Sequence, residues 1–178
     1  MTQCIFLTIF SAIAHLPLSL ADEMKDSAPL APTAKAELKS KSGSKAKGQV
    51  QFTESSDGLQ VRYQFSGLGK NQKHGFHIHE KGDCSSRDAK SAGPHYKKME
   101  DGGGTSADTP DRHAGDMPQI ESDGQGKAEG VFLLSQGGLS KTSSVKGRAL
   151  ILHGGPDDLS KPSAPRIACG VIVEQKIH

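Results

Sequence analysis

The sequence contains no tryptophan, and aromatic residues make up only 4% of it. It carries no surplus of charge. With 22 Lys and Arg against 20 Asp and Glu, the net +2 is too balanced to argue for nucleic acid as a partner. Three cysteines in 178 residues are too few for a miniprotein held together by a disulfide framework. The one almost continuous apolar run near the N-terminus, Cys4 to Ala14, covers 11 residues. A bilayer crossing takes ~20, so no stable membrane span is expected and a polytopic membrane protein is excluded. No stretch beyond that run carries a convincing helical apolar stripe, and there is no internal repeat, which removes coiled coils and collagen. Leu, Ile, Val and Phe recur through the second half, which argues against full disorder.

Residues 1–21 hold no Lys, Arg, Asp or Glu, and Ser19-Leu20-Ala21 is a small-x-small pattern. An apolar stretch of that length before such a pattern reads as a secretory signal peptide cleaved after Ala21. The start departs from the usual form, because Met1-Thr2-Gln3 adds no basic side chain. Export places the remaining chain in a periplasmic or secreted, oxidising setting. Cys4 leaves with the signal, so Cys84 and Cys169 remain, either as a disulfide or as two free buried thiols. A bridge closing so long a loop would contribute ~4–5 kcal/mol in the chain-entropy account. Asp22 to about Lys47 reads as a tether followed by a first edge strand. Its Ala, Lys, Ser and Pro content buries too little apolar surface to offset chain entropy. The expected organisation is signal 1–21, flexible linker 22–32 and one domain over 33–178.

Within that domain, Leu59, Val61, Tyr63 and Phe65 alternate with polar residues, as do Val50 and Phe52. A period of two marks half-buried strands, and Ser55-Ser56-Asp57-Gly58 joins these two as a hairpin. Further strands are expected over 73–80, 127–134, 146–153 and 167–173. Many short strands with Gly-rich punctuation indicate an all-β antiparallel sandwich or barrel. Two segments, 82–119 and 154–166, are too long to be turns, and such loops usually carry function.

Eight histidines are present. In His74-Gly-Phe-His77-Ile-His79, strand alternation turns Phe76 and Ile78 to the core and puts His77 and His79 together on the other face, ~7 Å apart along the strand. His95 and His113 lie in the long 82–119 loop, and His153 ends the strand Ala149-Leu150-Ile151-Leu152-His153. Imidazole-rich sets suit Cu, Zn, Fe or Ni, and an all-nitrogen tetragonal set favours copper.

These blocks, together with Ser91-Ala-Gly-Pro-His95, Arg112-His113-Ala-Gly-Asp116, Gly147-Arg-Ala-Leu-Ile-Leu-His153 and Arg166-Ile-Ala-Cys169-Gly-Val-Ile172, resemble the copper,zinc superoxide dismutase family. The resemblance runs from about Thr33 to Val173. Cys84, five residues after His79, is similar to the bacterial exported branch. The resemblance implies a Greek-key antiparallel β-sandwich or flattened barrel, immunoglobulin-like, with two long functional loops. It implies copper ligands at His77, His79, His95 and His153, with His95 also bridging to zinc. It places zinc ligands at His113 and Asp116, an anion-orienting arginine at Arg166, a disulfide between Cys84 and Cys169, and a supporting carboxylate at Asp157. His74 matches a structural histidine. The implied activity is conversion of superoxide to oxygen and hydrogen peroxide by Cu(II)/Cu(I) cycling, with Arg166 and His95 as the catalytic residues.

Two departures stand out. A closed zinc site takes four ligands, and no histidine lies between His95 and His113, where Gly102–Gly104 stand instead. Asp101, or less well Asp108, could supply the missing bond; otherwise zinc is weakly held or absent, which is the favoured expectation. The 154–166 loop is also short, with Lys161 and Arg166 its basic groups against Asp157 and Asp158. Both features resemble copper-only members of the family. Two rival readings are a non-catalytic copper store, which has no need of Arg166, and an interaction protein, which has no need of four clustered histidines. Monomer and homodimer remain alternatives.

Overall fold

The computed structural model describes residues 31–97, 115–135, 137–140, 144–158 and 163–175. Among the described residues the regular structure is ten strands, β1 (Thr33–Ser40), β2 (Lys47–Ser55), β3 (Gly58–Ser66), β4 (Lys73–His74), β5 (Phe76–His79), β6 (Ile120–Glu121), β7 (Ala128–Leu134), β8 (Ala149–His153), β9 (Arg166–Val171) and β10 (Val173–Gln175), and one 3-10 turn over Lys90–Ala92. The strands all pair antiparallel. Seven run in the order β5-β8-β9-β1-β2-β3-β7, β10 adds to β1, and β4 pairs with β6. This is the expected all-β antiparallel architecture. β1 is the joint of the curled sheet, because one end pairs with β9 and the other with β10.

Alternation explains the core. Val50 and Phe52 of β2, Leu59, Val61 and Phe65 of β3, and Phe76 and Ile78 of β5 are buried in one cluster with Leu150 and Leu152 of β8. Phe76 meets Phe65 edge-on, with ring centroids 5.4 Å apart. The opposite face of β5-β8-β9 is covered separately: Ala149, Ile151 and Cys169 pack under Ala89 and Ala92 of the long loop. The histidines lie on this second face.

Three sequence expectations change in the structure. β1 is not an edge strand, since β2 pairs along it on one side and β9 and β10 on the other. Ala34, Ala36 and Leu38 alternate inward and are fully or almost fully buried. Small side chains suffice there because neighbouring strands supply the apolar mass. The expected 73–80 strand divides at Gly75, whose N–H donates to Gly155 O and whose carbonyl accepts from His153 N–H, both at 2.8 Å. The 167–173 strand divides at Ile172, whose N–H goes to Arg148 O.

Candidate metal centre

β5 and β8 build the floor of the site. Their register sets His77 opposite Ile151 and His79 opposite Ala149, so the two imidazoles rise on the face away from Phe76 and Ile78. β8 ends at a bulge between Leu152 and His153, which pairs His153 with Arg166 of β9. The other edge of β5 is closed by the long loop. Tyr96 N–H donates to Ile78 O, Ile78 N–H to Gly115 O and Glu80 N–H to Pro94 O. Bridges pair His79 with His95 and His77 with Asp116. The structure thus brings His77, His79, His95 and His153 together, with one nitrogen from each lying within 4.8 Å of all the others.

Each ring is oriented from behind. His79 Nδ1 donates to Gly93 O and His153 Nδ1 to Ala164 O, both at 2.8 Å. A carbonyl only accepts, which fixes the proton on Nδ1 and leaves a lone pair on Nε2. His77 is turned the other way: its Nε2 donates to Asp157 Oδ2 at 2.9 Å, leaving Nδ1 free. His77 Nδ1, His79 Nε2 and His153 Nε2 are buried and have no hydrogen-bond partner. Each buried group left unpaired costs ~1–3 kcal/mol. Three of them converging on one point fit a metal ion held by neutral imidazoles, each backed by a carbonyl or carboxylate. Buried His74 serves differently, since its Nδ1 donates to His153 O at 2.9 Å and so ties down the end of β8.

The electrostatics favour neutral, ligating rings. Burial is the main cause that holds His79 down at about 3, with the Arg166 guanidinium and the neighbouring imidazoles adding to it. Burial likewise holds His153 at about 4. His77 is lowered by burial and by His95, against the pull of Asp157 and Asp116.

Arg166 is stretched over the same site. Its Nη1 donates to Ala89 O and its Nη2 to Gly93 O, both at 2.8 Å. Gly93 O therefore serves His79 and Arg166 at once. Cys84 and Cys169 are disulfide-bonded, 5.8 Å apart at Cα, and this pins the loop carrying Ala89 and Gly93 to β9.

Asp116 Oδ1 lies 3.0 Å from His95 Nδ1. Of the remaining sequence candidates, His113, Asp101, Asp108 and Lys161 fall outside the described residues. Gly93 was missed in the sequence, and Gly75 reads there simply as a backbone choice. Gly93 has φ 75° and ψ −160°, a conformation open to glycine, which aims its carbonyl at two side chains. A Cβ on Gly75 would lie 2.1 Å from Asp157 Oδ1, so its bare Cα admits that carboxylate to His77. Gly93 sits inside the Gly-Pro-His block and Gly75 inside the His-x-x-His-x-His block, which was the available signal.

A curled antiparallel β-sheet, four imidazoles converging beside an arginine and a disulfide-pinned loop define a metalloprotein of the β-sandwich class. The profile of the copper/zinc superoxide dismutase (SODC) family matches residues 46–172, and the chain belongs to that family. Among curated relatives, the Cu-Zn superoxide dismutase of Yarrowia lipolytica is 37% identical over 72% of this chain and 90% of its own length. That of Saccharomyces cerevisiae is 38% identical over 70% and 88%. One from the bacterium Aquifex aeolicus is 34% identical over 70% and 79%. A crystal structure of a double mutant of a superoxide dismutase-like protein from Bacillus subtilis superposes with a TM-score of 0.65 at 32% identity, covering 78% of this chain and 96% of that one.

Proposed function

We propose that the chain is an exported, copper-dependent superoxide dismutase. The observation that carries the reading is the set of three unpartnered buried nitrogens on His77, His79 and His153, grouped with His95 within 4.8 Å and bordered by Arg166. Copper held there supplies a one-electron couple, Cu(II)/Cu(I), that takes one superoxide to oxygen and a second, with two protons, to hydrogen peroxide.

The chain's own residues do the rest. Arg166 uses two of its five N–H groups on Ala89 O and Gly93 O, leaving others free on a permanently charged fork that favours a small anion over neutral oxygen. His95 carries the proton. An ionised Asp116 carboxylate accepts from Nδ1, so Nε2 faces the other imidazoles and is the atom that takes a proton from solvent and passes it to substrate.

Zinc is weakly held or absent in this reading. The segment between His95 and His113 supports it, because it offers no histidine to complete a four-ligand set. Export is supported by the Cys84–Cys169 bond, of a kind that persists in oxidising compartments, and by the apolar leader in 1–21. The linker 22–32 and the domain 33–178 complete the organisation. Among the described residues, no helix is long and apolar enough to cross a membrane.

The test is metal analysis of the purified mature protein beside a superoxide assay. Stoichiometric copper, substoichiometric zinc and rapid loss of superoxide are expected. His153→Ala should lower copper content and turnover together. Absence of turnover in the copper-loaded protein refutes the activity, and a full equivalent of zinc refutes the zinc reading.

A further inference from the structure

The turn between β1 and β2 grips the two segments that hold Arg166. Lys41 N–H donates to Ile167 O at 2.8 Å and Ser44 Oγ to the same carbonyl at 2.6 Å. Ser42 Oγ donates to Arg166 O at 2.9 Å. These contacts fix the start of β9. On its other side the turn takes hold of the loop that follows His79. Ser42 N–H donates to Arg87 O at 2.9 Å. The half-buried Lys41 ammonium donates to Ser86 O at 3.0 Å and also to Cys84 O. Arg166 spans these same segments: its backbone belongs to β9, while its guanidinium is anchored on Ala89 O and Gly93 O of the loop.

The turn adopts a costly conformation to do this. Ser42 has φ 52°, left-handed for a residue with a Cβ, which costs on the order of 1 kcal/mol or more. A lysine ammonium drawn onto backbone carbonyls gives up hydration and rotamer freedom for charge-assisted hydrogen bonds.

We propose that Lys41 and Ser42 are positioning residues for Arg166. They set the separation between β9 and the 84–93 loop, and with it the depth at which the guanidinium stands beside the four imidazoles. Its value to turnover rests on the dismutase reading, since a misplacement of ~1 Å can cost ~100-fold in a reaction.

The test compares Lys41→Met, Lys41→Arg and Ser42→Gly with the wild type. Ser42→Gly removes the hydroxyl while tolerating the positive φ. The first readout is the affinity of the copper-loaded protein for azide, a small monoanion, titrated spectroscopically. An ionic strength of about 1 M shortens the screening length to ~3 Å and removes long-range attraction by the lysine charge. Lys41→Met should weaken azide by roughly five-fold, the scale of one ordinary hydrogen bond's net contribution. Lys41→Arg should restore most of that affinity, and Ser42→Gly should weaken azide by a smaller factor. The second readout needs no metal: dithiothreitol should reduce the Cys84–Cys169 bond faster in metal-free Lys41→Met than in wild type. Unchanged azide affinity in both Lys41→Met and Ser42→Gly overturns the proposal, as does an equal loss in Lys41→Arg and Lys41→Met. If Lys41→Met does not fold, unchanged azide affinity in Ser42→Gly alone overturns it. A copper-loaded wild type that binds azide without consuming superoxide would defeat the dismutase reading while leaving these comparisons able to decide the clamp.

Discussion

His95 and Asp116 are joined directly, Nδ1 to Oδ1 at 3.0 Å. The carboxylate orients the ring through Nδ1. An ionised carboxylate accepts only, so the neutral ring keeps its proton on Nδ1 and presents Nε2 to the site. To act as donor from Nε2 the ring must gain a second proton.

A pH profile follows from that pairing. An imidazole that must take up a second proton loses the ability to do so as alkalinity rises. Turnover of the copper-loaded protein should therefore decline between about pH 6 and 9, more steeply than in a relative whose zinc site is filled. Stopped-flow superoxide decay across that range checks it, and a flat profile would sink the role given to His95.

Arg166 offers a separable prediction. Its guanidinium touches two carbonyls of the loop and none of the imidazole nitrogens that group together. Arg166→Ala should lower superoxide turnover by roughly ten-fold or more, the low end of what charge focusing supplies, with copper content unchanged. Metal analysis beside the kinetics decides between loss of anion capture and loss of copper.

Much of this site was legible before any coordinates, and for a physical reason. His77, His79 and His153 lie on short strands whose period of two is written in Phe76, Ile78, Leu150 and Leu152, so their common face follows from alternation. β1 was harder to read. Its inward residues, Ala34 and Ala36, carry little apolar mass, and a strand of alanines and lysines has the composition of a linker until its neighbours are known. The backbone acceptors were also hidden. Gly93 O, Ala89 O and Ala164 O orient three charged or ligating side chains, and no side-chain chemistry marks a carbonyl in a sequence.

Acid should destabilise the metal-free protein through its buried rings. His79 is held at about 3 and His153 at about 4, both below the ordinary 6.5. The unfolded chain therefore binds more protons below pH 6.5 than the folded chain does. The stability that the neutral rings contribute is complete above that value and is lost as pH falls toward about 4 for His153 and about 3 for His79. Urea midpoints of metal-free protein should decline from pH 7 to 5, and the decline should be shallower in His153→Asn. Copper should remain held by His79 and His153 through the same interval, because both rings stay unprotonated until about pH 4 or below.

Gly75 permits a test of how the site is supported from behind. Its backbone is held by Gly155 O and His153 N–H, so it cannot easily retreat. A methyl group at Gly75→Ala would lie 2.1 Å from Asp157 Oδ1 and 3.1 Å from His77 Cε1. Asp157 is half-exposed and rests on a loop, so it should be the group that yields. His77 would then lose the partner that fixes its proton on Nε2 and leaves Nδ1 free to ligate. Losing such an outer partner typically lowers metal affinity by ~10–100-fold. Copper competition titrations should show Gly75→Ala and Asp157→Ala weakened to a similar degree, and the double variant little worse than either, because both remove the same hydrogen bond. Additive losses would mean that Gly75 supports the site by a route other than Asp157.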